Sequence, residues 1–211
     1  VFMQNDCCGA PAFSLFISGD TATTGNVSIP GMGFSENFSV TPGAVTTVNL
    51  PAGANMTRGG GAAARGVRVT AGADVTVYGL NRVAFTTDAF LGLPTDALGT
   101  SYVVLGWRNT NVVNWSQFAV VASQNDTVVT ITPRITTGAR RAGVPYDITL
   151  QQGEAYQLAN TDPDPADLSG SIVTANKPVG VFGGHGCANI PDGSTVFCDH
   201  VVEQQQPRLP Q

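Results

Sequence analysis

Val173-Thr174-Ala175-Asn176-Lys177-Pro178-Val179-Gly180-Val181-Phe182-Gly183 decides the fold, because the same phrase stands earlier as Val69-Thr70-Ala71-Gly72-Ala73-Asp74-Val75-Thr76-Val77-Tyr78-Gly79. In both copies apolar residues alternate with polar or small ones, Val75 with Val77 and Val179 with Val181, which is the period of a strand with one face in a core. Working outward, each copy is preceded by the same series. Phe13–Ser18, Asn26–Pro30 and Phe38–Gly43 lead into the first; Phe118–Ser123, Val128–Pro133 and Tyr146–Gly153 lead into the second. Self-similarity of this kind settles architecture before any site is considered. It predicts an all-β fold of two tandem, internally homologous antiparallel β-sandwich modules. The expected divisions are 1–87 for the first module, 88–116 for a bridge and the first strand region of the second, 117–203 for the second module, and 204–211 for a Gln/Pro-rich tail.

The connections carry turn chemistry of their own, with Pro30-Gly31, Pro42-Gly43, Asn125-Asp126 and Gln152-Gly153 each favouring a tight reversal. Short strands are expected throughout, among them Ala12–Ser18, Asp74–Leu80, Tyr102–Trp107, Gly170–Thr174 and Val179–Gly183. Composition agrees. The 211 residues are 42% hydrophobic and only 12% charged, against roughly 25% charged in ordinary soluble domains. Lys177 stands as the one lysine beside Glu36, Glu154 and Glu203, so the residues that clothe exposed helices are nearly missing. A polar surface of Ser, Thr, Asn and Gln is the habit of extracellular or cell-surface β proteins.

A net charge of −5 with arginines scattered singly offers no basic stripe for a phosphate backbone, which argues against nucleic-acid binding. No apolar run approaches the ~18 residues of a membrane span. The chain opens at Val1 without a charged and then apolar leader, so a mature chain or a piece of a longer one is expected. Gly59-Gly60-Gly61-Ala62-Ala63-Ala64 lacks the Lys-Ser/Thr of a phosphate loop and is expected to be a mobile surface loop.

The run Thr87-Asp88-Ala89-Phe90-Leu91-Gly92-Leu93-Pro94-Thr95-Asp96-Ala97-Leu98-Gly99-Thr100 carries a resemblance, strengthened by Lys177-Pro178-Val179-Gly180-Val181-Phe182-Gly183-Gly184-His185-Gly186-Cys187-Ala188-Asn189-Ile190-Pro191 and by Cys198-Asp199-His200. Together these resemble the N-terminal domain of the IgGFc-binding protein family. The resemblance implies a secreted or bacterial-surface β module and brings no catalytic residue set.

Two pairs of cysteines stand out. Cys187 and Cys198 lie in one segment and read as a disulfide closing a loop of about 12 residues, worth ~2–3 kcal/mol by loop entropy. The competing reading is tetrahedral zinc, since His185-x-Cys187 and Cys198-x-His200 supply two thiolates and two imidazoles. Cys7 and Cys8 are adjacent and would strain to bond each other. They are expected to reach Cys187 and Cys198 across the modules or a neighbouring chain.

Other candidates are plainer. His185, His200, Ser194, Asp192 and Asp199 could be assembled into a triad on paper, but no Gly-x-Ser-x-Gly elbow supports one. Asp162, Asp164 and Asp167 lack the rest of an EF-hand and read as a solvated turn. Asn26, Asn37, Asn55, Asn114 and Asn125 begin glycosylation sequons. Trp107 and Trp115 flank a polar turn and could form a ligand platform, with core packing the commoner use of such rings.

The expectation is therefore a non-enzymatic extracellular surface, matrix or fibre module without cofactor, acting in assembly or adhesion. Its partner would be a protein or glycoprotein, or further copies of itself joined through Val1–Ala12 and the Gln204-Gln205-Gln206-Pro207 tail. The alternative is a soluble binding module for an Fc- or mucin-type glycoprotein or a glycan.

Overall fold

The alternating apolar runs become strands wherever the sequence places them between turn residues. The computed structural model describes residues 1–5, 9–57, 61–110, 115–163 and 165–208. Along these run β1 (Ala12–Ser18), β2 (Thr23–Ile29), β3 (Phe34–Val40), β4 (Thr46–Asn49), β5 (Ala62–Ala63), β6 (Arg68–Ala71), β7 (Thr76–Val83) and β8 (Thr86–Gly92). They are followed by β9 (Gly99–Val103), β10 (Ser116–Ala122), β11 (Thr127–Thr132), β12 (Tyr146–Leu150), β13 (Ala155–Asn160), β14 (Ile172–Ala188) and β15 (Asp199–Gln204). Among the described residues the helical content is two single 3-10 turns at 30–32 and 95–97. All the strand ladders are antiparallel.

The first half forms a sheet in the order β4-β1-β7-β8 and a second in the order β3-β2-β6. In the second half β13-β10-β14-β15 repeats the first of these orders, and β12-β11-β14-β9 extends the second. One strand serves both sheets of the second half. β14 is 17 residues long, and Ile172–Ala175 pairs with β11 while Val179–His185 pairs with β10. The sequence suggested two strands, Gly170–Thr174 and Val179–Gly183, broken over 175–178. Instead the register against β9 slips between Thr174 and Val179, which leaves Pro178, with no N–H to give, at the irregular point of a continuous strand.

Two apolar clusters result. The first gathers Phe13, Leu15 and Ile17 of β1, Val27 and Ile29 of β2, and Phe38 and Val40 of β3. The second gathers Phe118, Val120 and Ala122 of β10 with Val129, Ile131, Tyr156, Leu158, Val173, Val179 and Val181. The alternation in β10 and β14 then explains a further contact. Ala119 and Phe182, which point the other way, belong to the first cluster, so this sheet is covered on both faces. That is why Ser-Gln-Phe-Ala-Val-Val-Ala of β10 and Ala-Tyr-Gln-Leu-Ala-Asn of β13 are buried almost throughout. Phe13, Phe2, Phe90 and Phe182, in that order, continue the link as successive ring contacts with centroids 4.9–5.4 Å apart.

Several expectations change here. The division at 87/88 falls inside β8, and residues 88–103 supply β8 to one half and β9 to the other rather than a bridge. Of the glycine-alanine loop, Gly59 and Gly60 lie outside the described residues, while Ala62-Ala63 is β5 and pairs with β13. Of the N-terminal segment Val1–Ala12 offered for docking, Val1, Phe2, Met3 and Asn5 are buried, residues 6–8 lie outside the described residues, and Gly9 and Ala10 are exposed. Phe2 and Met3 are buried in the first cluster, and Met56 N–H donates to Phe2 O at 2.8 Å. The tail is likewise engaged, with Gln204 Oε1 accepting from Leu93 N–H and Gln205 Oε1 from Leu105 N–H.

Candidate functional site

Cys187 lies one residue before the buried end of β14 at Ala188 and Cys198 precedes β15, so their bond closes the connection between two paired strands. Both sulfurs are spent on each other, and the zinc arrangement of His185, Cys187, Cys198 and His200 therefore has no thiolates to offer. Cys7 and Cys8 lie outside the described residues.

Inside the closed loop Asn189 acts as a staple. Its Nδ2 donates to Thr195 O at 2.8 Å and to Phe197 O at 3.3 Å, while its Oδ1 accepts from Thr110 Oγ1 at 2.9 Å. Asp192 fastens the outer turn, accepting from Ser194 N–H and Ser194 Oγ and holding Thr195 N–H on its backbone carbonyl. Those Ser194 bonds hold the Asp192 carboxyl below the usual range, so the loop bears a firm anion. Although these polar groups are bonded within the loop, its apolar side chains face out: Val196 is 84%, Phe197 85% and Ile190 48% exposed.

The turn between β7 and β8 repeats the pattern more briefly. Phe85 is 93% exposed and takes φ 70°, a left-handed conformation that costs a bulky residue about 1–2 kcal/mol. Glycine or asparagine would sit there more comfortably. Its ring stands in solvent and buries almost nothing against the rest of the chain. The sequence gives no sign of this, because the turn Ala84-Phe85 looks like one more apolar pair.

The histidines are not on this surface. His185 is fully buried; its Nδ1 accepts from Cys187 N–H, so Nε2 carries the proton and donates to Asn109 Oδ1 at 2.9 Å. Asn109 passes the network on, giving both its amide protons to Asn160 O and Asp162 O. His200 receives Asn81 Nδ2 on its Nε2 at 3.3 Å, and the same amide donates to Met3 O. Burial holds both imidazoles down to about 4, with the charge of His200 a smaller factor for His185. Both are neutral at ordinary pH and bond elsewhere than to Ser194, so the paper triad is not assembled.

The two tryptophans separate. Trp115 is a core residue, its ring against Gly186 and its Nε1 donating to Gln117 Oε1 at 3.0 Å. It is closed to ligand. Gln117 also accepts from Gln157 Nε2 and donates to Gln4 O, a buried glutamine cluster between the halves. Trp107 is half-buried with its Nε1 inside the protein. Asp162 and Asp167 bind protein donors, Asn160 Nδ2 and Ser169 N–H, while Asp164 lies outside the described residues. Of the sequons, Asn26 and Asn37 face each other across β2 and β3, Asn55 is half-buried, Asn125 is exposed, and Asn114 is outside the described residues. Among the described residues no group of three or more His, Cys, Asp and Glu is arranged to hold a metal, and no helix is long and apolar enough to cross a membrane.

Comparison with known proteins adds a relationship to this geometry. The model of the family described as IgGFc binding protein matches residues 88–208, from β8 through β15. The IgGFc-binding protein of Homo sapiens is 36% identical over 177 residues, which is 82% of this chain and 3% of that protein. The chain thus spans only a small part of the length of the curated relative it matches. No solved structure matches the chain.

Proposed function

The chain belongs to the IgGFc binding protein family, and from that membership we propose that it is an extracellular, non-enzymatic recognition module whose partner is a protein or glycoprotein. The observation that carries this reading is the disulfide-closed loop 187–198, which bonds its polar groups internally and turns Val196 and Phe197 out to solvent. Exposed aromatic side chains on a fixed loop are the residues that dominate protein interfaces. The name of the human relative supplies the first partner to try, the Fc part of immunoglobulin G. The repeated strand order supports reading the halves as tandem copies of one β-sandwich plan.

Assembly into a fibre through the chain's own ends is supported less well. Phe2 and Met3 are core residues, and Gln204 and Gln205 hold Leu93 and Leu105 of the same chain.

The test is binding of the purified chain to immobilised immunoglobulin G Fc and to a panel of secreted glycoproteins, beside V196S/F197S. Saturable binding that the double substitution weakens at least tenfold is expected. Binding that ignores the substitutions, or no binding to anything on the panel, would overturn the reading.

A further inference from the structure

The loop that carries Val196 and Phe197 is bracketed by buried histidines two residues outside each cysteine, His185 before Cys187 and His200 after Cys198. Each ring is fixed in its neutral form by a donor that cannot turn away. At His185 the donor is the Cys187 backbone N–H, 3.0 Å from Nδ1. At His200 it is Asn81 Nδ2, whose amide is held in that sense because Nδ2 also donates to Met3 O and Oδ1 accepts from Asn5 Nδ2. A proton added at either of these nitrogens sets N–H against N–H and leaves a charge buried.

The surrounding backbone makes this a hinge. The ladder between β14 and β15 is regular from Phe182 to His185, slips after His185 and resumes at Ala188 opposite Asp199. Next to it lies the seam where β8 and β15 meet through side chains instead of a backbone ladder: His200 N–H donates to Thr86 Oγ1, and Val202 N–H donates to Asp88 Oδ2. The charged groups on the elements packed around the pair leave the balance against protonation standing. Asp167, ahead of β14, favours charge on His185 but bonds Ser116 Oγ and Ser169 N–H, and His200 opposes it. Asp162, reached through Asn109, turns its carboxylate to Asn160 Nδ2, and Arg108 acts on Asp192. Asp88 holds Val202 N–H and Ala89 N–H, while Arg82 of β7 and Asp199 and Glu203 of β15 are exposed.

Resting on the recognition role proposed above, we infer that the two histidines form an acid latch: a proton taken up by either ring frees the disulfide loop to swing about 185–188, and a partner bound at neutral pH is let go in acid. Neutral imidazole is the form that holds, so the latch is closed above the ordinary histidine value and opens as pH falls below it. With values of about 4 in place and 6.5 when released, opening gains about thirtyfold at pH 5.0 for each ring set free.

The test is amide exchange of the whole chain at pH 7.5 and 5.0, corrected for the intrinsic rates, beside H185N/H200Q, whose side chains can accept from Cys187 N–H and Asn81 Nδ2 without titrating. The reporters are the N–H groups of Gly186, Cys187 and His200, bonded to Trp115 O, His185 Nδ1 and Thr86 Oγ1. Their protection should fall at least thirtyfold in acid while that of β10 is kept, and should not change with pH in the double variant. The C2–H NMR signals of both imidazoles, followed in the unsubstituted chain, should titrate in step with the loss, which decides the matter if the variant does not fold. Equal protection at the two pH values, loss shared by β10, the same loss in a folded double variant, or ring titration out of step would overturn the latch and leave the recognition reading standing. Immobilised Fc fragment of immunoglobulin G is the binding probe: capture at pH 7.5 should be lost at pH 5.0 by the chain and kept by the variant. Capture that persists at pH 5.0 although the reporters open would overturn both the release and the assignment of the loop as the contact. If Fc is not captured at either pH, exchange alone decides the latch and the glycoprotein panel decides the recognition reading.

Discussion

Phe85 shows what a single residue reveals that a string of letters does not. Its φ of 70° is left-handed and its ring is in solvent, so F85G should raise the stability by about 1 kcal/mol. Urea unfolding decides it, and a lower midpoint for F85G would show that the ring contributes more to the fold than its backbone position costs. Gly186 is the opposite case: a Cβ there would meet the Trp115 ring, so G186A should cost about 1–3 kcal/mol and shift the tryptophan fluorescence. The histidines set a pH slope. Their native values near 4 lie below the ordinary 6.5, so the unfolded chain takes up protons first and stability falls as pH drops from about 6.5 towards 4. At about 1.4 kcal/mol per pH unit the ceiling is on the order of 3 kcal/mol for each. Asp88 and Glu203, both raised by burial, pull the other way in acid and offset part of it. Urea midpoints at pH 7.5 and 5.0 measure the slope, which H200Q should flatten; equal midpoints would sink the account. Sequence spacing drew attention to His185 and His200, but only burial separates a ligand from a core imidazole.

At the scale of elements, β10 and the two ends of β14 were legible because alternation and the repeated phrase mark them, though not the continuity of β14 through Pro178, and the disulfide loop was legible because its cysteines sit close in sequence. β8 was not, since Thr-Thr-Asp-Ala-Phe-Leu-Gly puts its one buried aromatic, Phe90, among small and polar neighbours and reads as a connection. β15 hides for a related reason: His200, Val202 and Gln204 are its buried positions, and two of the three are polar. The loop between β14 and β15 depends on its covalent tie. C187S/C198S should lose about 2–4 kcal/mol, and amide exchange should quicken through 189–198 ahead of the strands. Protection unchanged in that loop would mean that Asn189 alone holds it.

For the molecule as a whole, the all-β, antiparallel plan and the repeated strand order were readable from the sequence, but the degree to which the halves merge was not. Periodicity within a strand says which residues share a face and nothing about what covers that face. Ala119, Phe182 and Val202 come from the second half and pack in the first cluster beside Phe2 and Phe90. Unfolding should therefore be one cooperative transition with equal calorimetric and van't Hoff enthalpies. F182A should cost about 3–5 kcal/mol and move the single transition without splitting it; two transitions in the scan would refute that. The seam between β8 and β15 bears on this in another way. A backbone ladder accepts any partner strand and can slide by two residues, because every rung is alike. Here the rungs are Thr86, Asp88 and, at Leu93, Gln204, so the alignment of the halves is spelled in side chains and is open to rewriting one letter at a time, with neither sheet disturbed.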